Sequence, residues 1–234
     1  MNGEALWELQ QIDTARQQLQ RRLTKLPEAA ALADAERNLA EHRAAIAAAG
    51  TQLSDAETTI ETIEHEAAGL TTKRSRLEQQ LKIVTETRQA DALGHEIDAL
   101  NAHRDELDDR ELEAMEQQSN AEQRLGELAA VEDAVVAVRE SAATQLATAK
   151  DAGHDEELEL TSRYDVARAA LTSEEAALYD AQRARHGGIG IAKLIGLKCD
   201  GCHLDLSRAE VDNFKALPAD ELVDCPQCGR VLVR

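Results

Sequence analysis

The sequence predicts a mainly α protein: a long antiparallel coiled-coil helical hairpin with a small β module at its C-terminal end. Three observations carry this expectation. Apolar residues recur with a seven-residue period along much of the segment 1–185, aromatic residues make up only 2% of the chain, and all four cysteines fall between positions 199 and 228 as two C-x2-C pairs. A composition of 43% apolar and 30% charged residues with so few aromatics suits helices that share thin seams rather than a broad globular core.

The first helical stretch follows Leu9, Ile12, Arg16, Leu19, Leu23 and Leu26 and stops at Pro27. Proline lacks an amide donor and crowds the preceding turn, so the chain should kink or break there. From Leu32, alternate steps of three and four give Leu32, Ala35, Leu39, His42, Ile46, Ala49, Leu53, Ala56, Ile60, Ile63, Ala67, Leu70, Arg74, Leu77, Leu81 and Val84. Only His42 and Arg74 interrupt that seam, and a repeat sustained this long is the signature of a coiled coil. The phase is then lost. It resumes two residues out of step with Leu93, Ile97, Leu100, Arg104 and Leu107. Thr85, Thr87 and Asp91 are helix N-cap residue types, which places the hairpin tip near 85–92.

The returning helix should run through Leu125, Leu128, Val131, Val135 and Val138, then Tyr164, Ala167, Leu171 and Leu178. Its weak point is the stretch around Gly153, which mirrors Pro27 about the tip, so kinks are expected near Pro27 and Gly153 at one height of the hairpin. Trp7 and Tyr179 should then lie at the same end. At about 1.5 Å per residue each arm would measure on the order of 120 Å. A parallel homodimer of one long helix is the competing arrangement, and the phase break and mirrored kinks favour the hairpin. His42 and Arg74 are read as seam residues that set register or reach past it. The scattered His65, His95, His103 and His154, and acidic runs such as 105–109, are read as solvated helix faces, because two packed helices offer no pocket for acid–base chemistry.

Helix signals end at Arg183-Ala-Arg185-His-Gly-Gly188, which divides the chain into a hairpin over 1–185 and a module over 186–234. Residues 189–197 read as a strand leading to Cys199-Asp-Gly-Cys202. Ser207-Arg-Ala-Glu210 is a capping-box pattern that should open a short helix through Phe214 and Leu217. Residues 221–224 lead into Cys225-Pro-Gln-Cys228-Gly229, where glycine suits a tight turn, and residues 230–234 form a closing strand. Two C-x2-C pairs, at 199–202 and 225–228, are spaced to bring four thiolates to one tetrahedral ion. The candidate ligands are Cys199, Cys202, Cys225 and Cys228, and the expected cofactor is one structural zinc ion. Four thiolates saturate zinc and leave no position for substrate.

Other chemistries use parts of the same pattern. Cys199-Asp-Gly-Cys202-His203 matches the haem-attachment motif C-x-x-C-H, but that reading leaves Cys225 and Cys228 unexplained. Rubredoxin-like iron would take the same four ligands, and a redox dithiol would want a βαβ setting the sequence lacks. His203 is read as a neighbour donating toward a sulfur rather than as a ligand.

Charge bears on the partners. The net charge is −19, and nearly all of it lies on the segment 1–185, where acidic side chains heavily outnumber basic ones. Such a surface repels nucleic acid and acidic membranes along the hairpin, which leaves the near-neutral residues 183–234 as the place for nucleic-acid contact. The candidate contacts to nucleic acid or a protein partner are Arg183, Arg185, Lys193, Lys198, Arg208, Lys215, Arg230 and Arg234. No membrane contact and no small-molecule substrate are expected. The opening Met-Asn-Gly-Glu-Ala-Leu-Trp-Glu has neither a basic flank nor an apolar stretch, and cysteines confined to metal-type pairs suit a reducing compartment, so the expected location is the cytoplasm.

The layout of helical hairpin, Gly-Gly, strand, C-x-x-C and a terminal CPxCGR-V-L resembles the bacterial family of C4-type zinc-ribbon proteins with an N-terminal coiled-coil hairpin. The segments KIVTETRQADALGHEIDAL (82–100) and 186–234 carry most of the resemblance. It implies zinc on the four cysteines, no enzyme activity, and a cytoplasmic tethering protein associated with protein or nucleic-acid partners. The combined expectation is a non-enzymatic adaptor, with RNA or DNA binding through the ribbon as the alternative.

Overall fold

The computed structural model describes residues 2–218 and 221–234. Helix α1 (Gly3–Leu23) opens at Asn2, whose side chain accepts from the amide of Ala5. It ends in a turn, and α2 (Pro27–Leu81) restarts at once with proline in its first position, where the missing N–H costs nothing. Pro27 therefore begins a helix as well as ending the previous repeat. The hairpin turn occupies 82–86, mostly ahead of the expected 85–92, and α3 (Thr87–Ala169) already includes Asp91.

The chain divides into two compact units, residues 31–142 and residues 1–30 with 143–234. Within 31–142, α2 and α3 share a seam of mostly small residues. Ala35, Ala49, Ala56, Ile63, Ala67 and Leu70 are buried on α2, and Leu107, Ala114, Ala121 and Leu128 on α3 recur every seventh residue. The alanines allow close approach of the two backbones, and the heptad spacing keeps the seam facing its partner. Two arginines cross the seam. Arg74 reaches the side-chain oxygen of Asn101 at 3.3 Å, and Arg104 donates to Thr71 Oγ1 at 3.3 Å and to the Ala67 carbonyl. His42 lies half-buried in the seam, with its Nε2 unpartnered among the described residues.

The second unit collects α1, residues 143–169 of α3, α4 (Ser173–Arg185) and the cysteine module around one apolar cluster. Leu6, Leu9, Ile12 and Leu19 meet Leu160, Ala167 and Tyr179 from α3 and α4, and Ile191, Val231 and Val233 from the module. Trp7 and Tyr164 pack at its edge, so Trp7 and Tyr179 do share one end.

Two expectations about the returning helix are corrected. The helix runs unbroken through Gly153, because tertiary packing outweighs a glycine cost of about 1 kcal/mol. Glycine serves close approach there, since a Cβ would run into the Leu23 side chain. The interruption falls instead at 170–172, where the apolar spacing predicts helix through Leu171. Thr172 and Glu175 form a reciprocal capping box that starts α4, and Glu175 also accepts from the amide of Asn2 at 2.6 Å.

In the module, β1 (Ile191–Ile195) pairs antiparallel with β2 (Lys198–Cys199) and parallel with β4 (Val231–Val233), which pairs antiparallel with β3 (Val223–Asp224). The sheet order is β2-β1-β4-β3. Helix α5 (Arg208–Ala216) begins with the expected capping box of Ser207 and Glu210. It packs Val211 and Phe214 onto Ala192, Leu206, Leu232 and the buried Cys199 and Cys225.

Candidate metal centre

Each cysteine pair sits on a tight turn. The first begins where β2 ends. The amide of His203 donates to the Cys199 carbonyl at 2.8 Å, with His203 at φ 62, and the amide of Cys199 donates to the Leu204 carbonyl. The second repeats the arrangement. Gly229, at φ 71, donates to the Cys225 carbonyl at 2.8 Å, and the Cys225 amide donates to the Arg230 carbonyl at 2.7 Å. The expected need for glycine after the second pair is met by this left-handed backbone. His203 serves its turn through its backbone, and its ring is exposed.

These turns bring the Sγ atoms of Cys199, Cys202, Cys225 and Cys228 within 4.8 Å of one another. Thiolates about 2.3 Å from a tetrahedral zinc ion stand about 3.8 Å apart, so the four sulfurs fit the ion without rearranging the fold. As free thiols they are unequal. Burial pushes Cys199 up to about 12 against the amides of Cys202 and Gly201, and burial likewise raises Cys225 against the amides of Gln227 and Cys228. Burial also opposes ionisation of Cys228, but the amide and guanidinium of Arg230 bring it down to about 7. A buried thiol that resists ionisation becomes a ligand when a cation replaces its proton, so metal binding releases protons and stabilises the fold together. The protein holds one structural zinc ion on these four cysteines.

A second constellation, which the sequence reading missed, ties the module to α1 and α4. Gln10 and Asp13 are buried on α1. Gln10 Nε2 donates to the Gly188 carbonyl at 3.0 Å, and its Oε1 accepts from the amides of Gly190 at 2.9 Å and Ile191 at 3.2 Å. Asp13 accepts from the Tyr179 hydroxyl at 2.6 Å and faces Arg183 Nε at 3.2 Å. Burial and then the Asp13 carboxylate hold the Tyr179 hydroxyl well above the usual tyrosine range. The sequence shows Gln10 and Asp13 only as two polar residues beside the apolar positions of the first repeat, which does not specify their distant partners.

The eight basic candidates occupy different surroundings. Arg183 is engaged by Asp13, Arg230 donates to the Ile189 carbonyl at 2.7 Å, and Arg234 donates to the Pro218 carbonyl while its guanidinium lies 5.1 Å from the Phe214 ring centre. Arg185, Lys198, Arg208 and Lys215 are exposed, Lys198 standing 4.0 Å from Asp205, and Lys193 is half-buried on β1.

A helical hairpin joined to a four-cysteine knuckle module defines a class, the coiled-coil protein with a C4 zinc ribbon. The sequence matches the CT398-like coiled coil hairpin domain over residues 9–187 and the C4-type zinc ribbon domain over 198–232. The chain belongs to the family of CT398-like coiled-coil hairpin proteins. An uncharacterised protein found in two strains of Mycobacterium tuberculosis is 31% identical over 240 residues, spanning 98% of this chain and 94% of its own. The fold is shared with a protein from Mycobacterium smegmatis at 23% identity, with a TM-score of 0.79 over 100% of this chain and 99% of that one. It is also shared with CT398 from Chlamydia trachomatis at 20% identity, with a TM-score of 0.71 over 98% and 97% of the two chains. Among the described residues no helix is long and apolar enough to cross a membrane.

Proposed function

We propose that the protein is a non-enzymatic adaptor of the cytoplasm whose hairpin and zinc ribbon each hold macromolecular partners. The observation that carries this reading is the chemistry of the metal centre. Its four sulfurs form a complete tetrahedral set, which leaves zinc no position at which to activate water or polarise a substrate. The ribbon instead offers surface. Ile195, Leu197 and Leu204 are exposed around the β1–β2 turn, held together because Leu206 donates to the Leu197 carbonyl and Cys199 to that of Leu204. Apolar side chains gathered on a zinc-braced turn suit a protein partner.

The test compares the intact protein with an Ile195→Asp/Leu204→Asp variant, using affinity capture from cytoplasmic extract followed by binding of the purified captured protein. A partner that binds the intact chain directly and is lost by the variant supports the reading. Equal capture by both removes the ribbon from it. RNA or DNA binding is the second reading, favoured by the exposure of Arg185, Lys198, Arg208 and Lys215. It requires binding that weakens steeply with salt, and no binding at about 50 mM salt dismisses it.

A further inference from the structure

The seam of the hairpin is incompletely closed near the turn. Farther along, Ile63 and Leu107 are buried, but Leu77 and Leu100 remain half-buried. The small side chain of Ala99 leaves space beside them. The result is a groove of about 570 Å³ with Leu77, Ala99 and Leu100 on its floor. A second hollow of about 390 Å³ continues it over Val84, Ala92 and Leu93 to Ile83, and both share Gln80 and Glu96. Ile83 is 79% exposed. From Lys73 to Val84 the groove follows α2 and the turn for about 16 Å, or roughly three helical turns.

The α2 bank is basic, and the α3 bank carries a single carboxylate, Glu96. Lys73 and Arg76 line the α2 side, with Lys82 and Arg88 around the turn, and none of these four makes an ion pair among the described residues. Their neighbour Arg74 is occupied by Glu78 at 3.3 Å and by Asn101. Glu96 stands on the α3 side, and two turns farther along α3 His103 faces Glu66 of α2 at 3.4 Å. An apolar floor of this length, with Lys73 and Arg76 on one side and Glu96 on the other, has the form that a third helix of a coiled coil packs against, with its own flanking charges reversed.

We propose that this groove is the docking site for an amphipathic α-helix of a protein partner. Its apolar stripe covers Leu77, Leu100 and Ile83, with Asp/Glu along the edge that meets Lys73 and Arg76 and Lys/Arg along the edge that meets Glu96. Nucleic acid fits less well. Trp7, Tyr164, Tyr179 and Phe214, the aromatic residues on which bases would stack, all lie outside this segment, and Glu96 repels phosphate. The proposal deepens the adaptor reading by naming the chemistry of one partner. Its test leaves the ribbon untouched, so either can fail alone.

The probe is a fluorescently labelled synthetic helix of about five turns, titrated into the intact protein. It carries leucines at i, i+3 and i+7, glutamates along one flank and lysines along the other. Saturable binding is expected, weakened about tenfold or more by Lys73→Glu/Arg76→Glu and restored in part by higher salt for that variant only. Ala99→Trp, which fills the floor, should weaken binding comparably, and Arg43→Glu elsewhere on α2 should leave it unchanged, with circular dichroism verifying that each variant is folded. Absence of saturable binding, or binding by both groove variants equal to that of the unaltered chain, overturns the proposal. So does binding of phosphatidylserine vesicles in place of the peptide, or a concentration-dependent dimer that the peptide does not displace.

Discussion

Replacing Asp13 with alanine should cost far more than an aspartate on a first helix ordinarily would. The carboxylate is 2% exposed and accepts from the Tyr179 hydroxyl, which is itself fully buried. Its removal strands that hydroxyl in an apolar cluster, and leaving one buried donor unpaired while losing a bond to a charged acceptor costs about 3 kcal/mol. Arg183 adds little, because its side chain is 38% exposed and its head can turn to water. Tyr179→Phe removes the donor but leaves the buried Asp13 carboxylate with Arg183 Nε still beside it, and should cost about 1–2 kcal/mol. In the double variant nothing is stranded, so its destabilisation should fall short of the sum of the two by about 1–2 kcal/mol. Trp7, the only tryptophan, packs against this cluster, so urea unfolding followed by its fluorescence reads the relevant unit. The pH dependence adds a second readout. The folded Tyr179 holds its proton above the usual range, so its contribution is fully present below about pH 10 and declines above it, as the unfolded chain ionises first. Tyr179→Phe should lessen that alkaline loss. Additive single costs, or an unchanged midpoint for Asp13→Ala, would refute the assignment of this pair as the internal anchor of the cluster.

Gln10→Ala leaves three backbone groups of residues 188–191 without their partner, and should destabilise the docked module by about 2–4 kcal/mol. Hydrogen exchange should quicken at the amides of Gly190 and Ile191 while those around Ile63 stay protected. Elemental analysis should find one zinc ion per chain. Its removal by a chelator should release the packing around Phe214 yet keep most of the far-ultraviolet helical signal, because α2 and α3 bury their seam without the metal. Loss of the whole helical signal would show that hairpin and ribbon fold as one.

Much of this architecture can be read from residue spacing alone. Ala35, Ala49, Ala56, Ile63, Ala67 and Leu70 lie on the predicted repeat because a two-helix seam has only one periodicity to satisfy. The four cysteines were equally legible, since metal geometry restricts ligand spacing tightly. Local chemistry misled around Gly153, where a helix-weakening residue is kept for close approach to Leu23. At Thr172 local chemistry does mark the boundary, since Thr-Ser-Glu-Glu is as good a capping box as the one at Ser207. The Gln10 and Asp13 contacts were beyond reach of any pattern. They join residues far apart in the chain, and nothing in a linear repeat specifies which distant amide or hydroxyl will meet a buried polar side chain.

The parallel pairing of β4 with β1 against α1 has a consequence for how the protein is made. Leu6 and Leu9 are buried in the same cluster as Val231 and Val233, which leave the ribosome on the order of 200 residues later, so at ordinary elongation rates they wait about ten seconds or more for their cover. During that interval α1 carries an apolar stripe with no partner. The same Gln10 and Asp13 that later become internal anchors break the stripe while it is wet, which makes the nascent helix less adhesive than leucines alone would be.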